Sequence, residues 1–259
     1  MYPILLDLGF WQLRSYGVFV ALAILVGTWW SAREAERRGF PRPLVYDVAW
    51  TVVLAGLVGA RLYYVIFSEP ATYLANPWEI FAVWQGGLSV HGALLAGLLA
   101  GIWSFRRRGL PFWRFADAVA PGIILGQTAG QIACLLNGDT YGTPTTLPWA
   151  ITFTDPQAMA PLGVPLHPVQ LYELIAYFGV FLVVQRVARG ATREGATILT
   201  YAVLYGAVRF AMEFFRGDPP MVAGVIVPQA VSAFLVLAAG ASVLLLRRTV
   251  WRVNQPAVG

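Results

Sequence analysis

The chain has 259 residues, 58% of them hydrophobic and only 12% charged, with a mean hydropathy of +0.64. A soluble domain is nearer about 45–50% apolar and about 25% charged, and one soluble core could not hide so much apolar surface. Disorder, a coiled coil, a disulfide-rich scaffold and an ordinary soluble enzyme all fit poorly, which leaves an all-α polytopic membrane protein.

A spanning helix needs about 20 mostly apolar residues. About seven such stretches follow in chain order: 14–32, 46–67, 86–105, 115–136, 168–187, 195–215 and 222–246. Each is bounded by an Arg cluster or by a loop rich in Pro and Gly. No internal repeat is evident, and the whole of 1–259 reads as a single integral membrane domain. The longest connection, Asn137 to His167, contains five Pro and is predicted to be an ordered external loop. Before Arg33 there is neither a basic n-region nor a small-residue cleavage site, so the first span is expected to be retained.

All 18 basic residues are Arg, and the formal net charge is +5. Their clustering between apolar stretches is a topology signal rather than a nucleic-acid footprint, so no nucleic-acid partner is expected. Fourteen of them fall in the first, third and fifth connections and in the tail, whereas loops 68–85 and 137–167 hold none. The positive-inside bias then places the N-terminus outside and the C-terminus in the cytoplasm.

The four leftover Arg are Arg14, Arg61, Arg209 and Arg216, in or at the ends of spans. An ionisable group there is costly unless paired or hydrated, and marks function by default. Glu173 and Glu213 join them, with His91, Asn137, Asp139, His167 and Gln170 at span ends and Tyr16 at the start of the first. His91 lies roughly 7 Å from the outer end of its span at 1.5 Å per residue. These polar groups come from six spans and share the outer half of the bilayer. They predict one hydrated polar cavity open to the outer leaflet.

Tyr205, Arg209 and Glu213 follow at i, i+4 and i+8, on one helix face. The arrangement serves either as a structural ion pair or as an anion site, because a guanidinium suits phosphate bidentately. The glycine-rich run Trp84-Gln85-Gly86-Gly87-Leu88-Ser89-Val90-His91-Gly92 opens the third span. It reads either as a tight turn or as backbone N–H groups gathered for an anion, with His91 as the natural general base. Asn137-Gly138 is a turn signal, and Cys134 is most simply a buried thiol without reactivity. One Cys excludes an internal disulfide or a Cys-based metal site, and two His are too few for a His-only zinc site.

Six motifs in order resemble the bacterial prolipoprotein diacylglyceryl transferase family along nearly the whole chain. They are Tyr16-Gly17, Gly59-Ala60-Arg61, Gly86 to Gly92, Asn137-Gly138-Asp139-Thr140-Tyr141-Gly142, His167-Pro168-Val169-Gln170-Leu171-Tyr172-Glu173 and Arg209 to Arg216, with Gln229 fitting near the last span. The resemblance implies an enzyme of the bacterial plasma (inner) membrane, with its site toward the outer leaflet. It would move the diacylglyceryl group of phosphatidylglycerol to the lipobox Cys thiol of a preprolipoprotein signal peptide. A thioether forms and glycerol 1-phosphate leaves, and the family needs no cofactor or metal.

On that basis His91 is the expected base, and Arg209, supported by Glu213 and Tyr205, the phosphate contact. Arg61 is a secondary contact. Asn137 and Gly142 shape the head-group site, with Tyr16, Gln131, Asp139, Gln170, Glu173 and Arg216 completing the substrate-binding set. The chain departs from the family where Gly130-Gln131-Ile132-Ala133-Cys134 stands in place of Gly-Arg-Ile-Gly-Asn. The remaining Arg are expected to compensate. A catalytically degenerate paralogue that binds phospholipid or signal peptides is the alternative. An anion transporter is disfavoured by the nearly apolar inner halves of the spans.

Overall fold

The computed structural model describes residues 2–9, 12–83, 86–190, 193–217, 221–222, 225–226, 229–233, 236–237 and 240–241. Trp84, Gln85, most of the predicted seventh span and the Arg-rich tail lie outside them. The described chain is mostly helical, with helices α1 (Ser15–Arg37), α2 (Arg42–Phe67), α3 (Pro70–Ala75), α4 (Val90–Arg108), α5 (Phe112–Asn137), α6 (Val169–Gly190) and α7 (Ala196–Met212). Three two-stranded antiparallel pairings complete it: β1 (Ile4–Asp7) with β2 (Gln12–Arg14), β3 (Ile151–Thr152) with β4 (Pro165–Leu166), and β5 (Met221–Val222) with β6 (Val225–Ile226).

Five helices are long and apolar enough to cross a membrane: α1, α2, α5, α6, and α7 with its extension to Phe215. The third predicted span corresponds to α4. Its 19 residues carry His91 at one end and Arg106, Arg107 and Arg108 at the other, which makes it the least apolar of the long helices. It begins at Val90 rather than 86, because Gly86 and Gly87 take positive φ. The first residues of the predicted seventh span form the β5–β6 pairing. Among the described residues, helical backbone reappears at 229–233, 236–237 and 240–241. With several apolar spans, the chain is a multi-pass membrane protein.

The burial pattern inverts that of a soluble protein. Leu94, Leu98, Ile175, Phe178 and Leu182 are exposed, while Asp117, Gln170, Glu173, Gln185 and Glu213 are buried. Apolar side chains facing outward are at no disadvantage in lipid, whereas polar groups must find partners inside.

Two compact units are recognised. The first comprises Met1–Glu34 with Ala116–Gly259, and the second Ala35–Phe115. In the first unit, Ala120 and Ile124 of α5 pack with Tyr177, Val180, Phe181 and Val184 of α6. A Cβ on Gly27 of α1 would lie 2.8 Å from the Gly122 carbonyl oxygen of α5, so the two helices approach backbone to backbone through small residues. Gly195 N–H and Ile198 N–H donate to the two carboxylate oxygens of Asp117 at 2.7 and 2.9 Å, so α5 caps the start of α7. In the second unit, Gly59 of α2 faces Gly92 of α4; a Cβ on Gly59 would lie 2.7 Å from the Gly92 carbonyl oxygen.

Candidate active site

The first unit gathers three of the six motifs through its backbone. Thr143 N–H donates to Phe215 O at 2.8 Å, His167 N–H to Thr143 O at 3.0 Å, and Gly217 N–H to Tyr141 O at 3.0 Å. Gly142 and Arg216 face each other as an isolated bridge. Segments 137–143, 165–170 and 213–217 are thereby stitched into one layer at the C-terminal ends of α5 and α7 and the N-terminal end of α6. Gly142 allows this. A Cβ there would meet the His167 carbonyl oxygen and would sit 2.6 Å from His167 Cβ.

Under the layer lies Arg209. Its Nη1 donates to Glu173 Oε1 at 2.9 Å, and its Nη2 lies 3.0 Å from Glu213 Oε2, the i,i+4 partner expected from the sequence. Both carboxylates are almost wholly buried. A guanidinium has five N–H donors. One donates to Glu173, and the other four make no hydrogen bond among the described residues. Neither Glu213 oxygen has a hydrogen-bond partner there, so its contact with Arg209 is an ion pair only. Arg216 adds a second positive charge close to Glu173. Arg209 is thus held in a fixed orientation while most of its donor capacity stays open.

Around the pair, Tyr205 lies against Tyr177 with ring centroids 5.5 Å apart and stacks on Tyr201 at 5.6 Å. Tyr177 was not foreseen, although it stands four residues after Glu173 and therefore on the same helical face. The Glu173–Arg209 contact was also missed, because no sequence spacing links two different helices.

The turn after α5 is shaped by its own side chains. Asn137 Nδ2 donates to Asp139 Oδ2 at 3.1 Å, and Gln170 Nε2 donates to the Asp139 carbonyl at 2.7 Å. Thr140 holds a φ of +53°, an unusual conformation for a β-branched residue. The Cys134 thiol lies beside Asp139 and Thr140, and Tyr16, at the start of α1, is close to Cys134 and Asp139. The Oε1 atoms of Gln131 and Gln170 are buried acceptors with no hydrogen-bond partner among the described residues. The connection to His167 folds over a small core of Phe153, Ala160 and Leu166, which agrees with an ordered loop. There Trp149 Nε1 donates to Tyr172 OH at 2.7 Å, and that hydroxyl lies 3.3 Å from His167 Nδ1.

In the second unit, His91 is the second residue of α4. It is exposed, and its ring stacks on Tyr63 of α2 with centroids 6.1 Å and planes 29° apart. It makes no hydrogen bond among the described residues. Arg61 is different, being only 6% exposed and wrapped by carbonyl oxygens. Nε donates to Ile80 O at 2.9 Å, Nη1 to Gly86 O at 2.6 Å and Gly87 O at 2.9 Å, and Nη2 to Glu79 O and, at 3.5 Å, Ala82 O. The Tyr73 ring covers the guanidinium at 5.1 Å. The glycine-rich run also uses its N–H groups internally, since Gly86 N–H donates to Val83 O and Ser89 N–H to Ala60 O. These two are therefore not available as anion donors.

The model of the prolipoprotein diacylglyceryl transferase family matches residues 3–245. A phosphatidylglycerol–prolipoprotein diacylglyceryl transferase of Solidesulfovibrio magneticus is 39% identical over 224 residues, covering 84% of this chain and 82% of that protein. One of the same name from Thermosynechococcus vestitus is 36% identical over 232 residues, covering 88% of this chain and 86% of that protein. A third, from Bacillus cereus, is 33% identical over 236 residues, covering 90% and 87%. The chain belongs to the prolipoprotein diacylglyceryl transferase family.

Proposed function

We propose that this chain transfers the diacylglyceryl group of phosphatidylglycerol to the lipobox Cys thiol of preprolipoproteins. The observation that carries the proposal is Arg209, ion-paired with two buried carboxylates yet with four of its five donors making no hydrogen bond among the described residues, in a chain that the family model matches over residues 3–245. A guanidinium so oriented suits the phosphate that must leave.

In the reaction the thiol proton passes to His91, since the thiolate is the nucleophile. The sulfur bonds to the glycerol carbon that carried the phosphate. That C–O bond breaks, and its electron pair leaves on the phosphate oxygen as glycerol 1-phosphate. Arg209 meets the charge on the departing phosphate, with Glu173 and Glu213 holding its fork. Tyr205 packs beside it, Arg216 adds positive charge, and Tyr16, Gln131, Asn137, Asp139, Gly142 and Gln170 form the head-group surroundings. The chain works as one membrane domain of about seven spans in the bacterial plasma (inner) membrane, with its N-terminus outside, its C-terminus in the cytoplasm, and a hydrated site toward the outer leaflet. The Arg asymmetry of the loops supports that orientation.

The test uses purified protein, phosphatidylglycerol and a synthetic lipobox peptide. Mass spectrometry reads the diacylglyceryl adduct beside an assay for released glycerol phosphate. Both products are expected in equal amounts. Bound phosphatidylglycerol without adduct would replace the proposal with the degenerate binder.

A further inference from the structure

We propose that Arg61 is a positioning residue for His91 and makes no contact with the lipid phosphate. The inference rests on the transferase reading, and it reassigns a residue that sequence alone places among the phosphate ligands.

The donor count carries the argument. Arg61 has five N–H groups, and five carbonyl oxygens face them, from Glu79, Ile80, Ala82, Gly86 and Gly87. A buried guanidinium is tolerated only when its donors are met, and here they are met completely. A phosphate would have to displace carbonyls that hold the chain between α3 and α4. No carboxylate pairs with Arg61 among the described residues, so the backbone alone stabilises the charge.

What Arg61 holds is the approach to His91. Gly86 and Gly87 take φ of +94° and +72°, and their carbonyls converge on Arg61 Nη1. Two residues on, Ser89 N–H donates to Ala60 O at 3.0 Å, and α4 begins at Val90. His91 stacks on Tyr63, and Gly92 seats against Gly59. One stretch of α2, Gly59 to Tyr63, thus grips the run from Gly86 to Gly92 at four points, of which Arg61 is the only charged one. The contact has no slack on the loop side either: a Cβ on Gly87 would lie 2.5 Å from Arg61 Nη1.

The experiment compares wild type, Arg61→Met and Gly87→Ala in turnover, in KM for phosphatidylglycerol, and in NMR of protein labelled at histidine Cε1. The chain has only two histidines, so two resonances report His91 and His167 separately. In both variants kcat is expected to fall by about a hundredfold, the scale of a catalytic group displaced by about 1 Å. KM stays within about twofold of wild type, because the removed contact is not to substrate. The His91 resonance moves while that of His167 holds, an outcome general misfolding would not give. A raised KM with kcat retained would overturn the proposal, as would an unmoved His91 resonance in both variants. Failure of the transferase reading shows separately, as absence of adduct in wild type, and leaves the His91 resonance as the test of positioning.

Discussion

Arg209 Nη1 lies 2.9 Å from Glu173 Oε1, and this ion pair joins α7 to α6 across 36 positions of sequence. Glu213, the residue just after α7, pairs with the same guanidinium at 3.0 Å. The pair of grips fixes the plane of the Arg209 fork, and planarity distinguishes Arg from Lys at such a site.

Arg209→Lys keeps the charge but loses the fork. Activity is therefore expected to fall by about a hundredfold, the scale of losing one fixed donor to a developing oxyanion. Turnover within a few fold of wild type in the adduct assay would show that charge alone suffices there.

Glu173→Gln retains the shape of the side chain and removes its charge. Breaking one side of a buried ion pair costs about 3–5 kcal/mol when the partner is left uncompensated. Here Glu213 remains, so a loss toward about 3 kcal/mol is expected, read as a lower thermal midpoint in detergent. An unchanged midpoint would mean that Glu213 alone neutralises Arg209.

Gly142→Ala places a methyl group against His167 where the backbones of two motifs meet. Overpacking of this kind costs about 1–3 kcal/mol, and here it pushes apart the layer above Arg209. At least a tenfold loss of activity is expected, about 1.4 kcal/mol in transition-state terms. Gly179→Ala, with open space around its Cβ, is the control and leaves activity near wild type.

Much of this organisation is legible in the sequence, because apolar length and Arg clusters report directly on spans. The starts of α1, α6 and α7 fall within one residue of expectation, and that of α4 is late only because two glycines stand at positive φ. The β1–β2 hairpin was not foreseen. Its strands are short and largely exposed, so no periodicity marks them. Within the site, Arg209 and Glu213 were readable as i,i+4 partners, whereas Glu173 was readable only as a costly charge in want of a partner. The engagement of Arg61 by carbonyls has no sequence signal at all, since backbone oxygens are the same for every residue.

Gln131 stands where the family's Arg is expected, and its Oε1 is a buried acceptor without a partner among the described residues. If Arg209 and Arg216 supply the needed charge, Gln131→Arg changes turnover by less than about tenfold. A larger gain would expose some 1.4 kcal/mol of missing transition-state stabilisation.

The most direct measurement is single-turnover formation of the diacylglyceryl-peptide adduct by wild type, His91→Ala and Arg209→Ala, with phosphatidylglycerol binding measured on the same samples. The account predicts adduct in wild type and its loss by at least about a hundredfold in both variants, with lipid binding weakened only in Arg209→Ala. Adduct formed at the wild-type rate by His91→Ala would contradict it, because the thiol proton would then leave by another route.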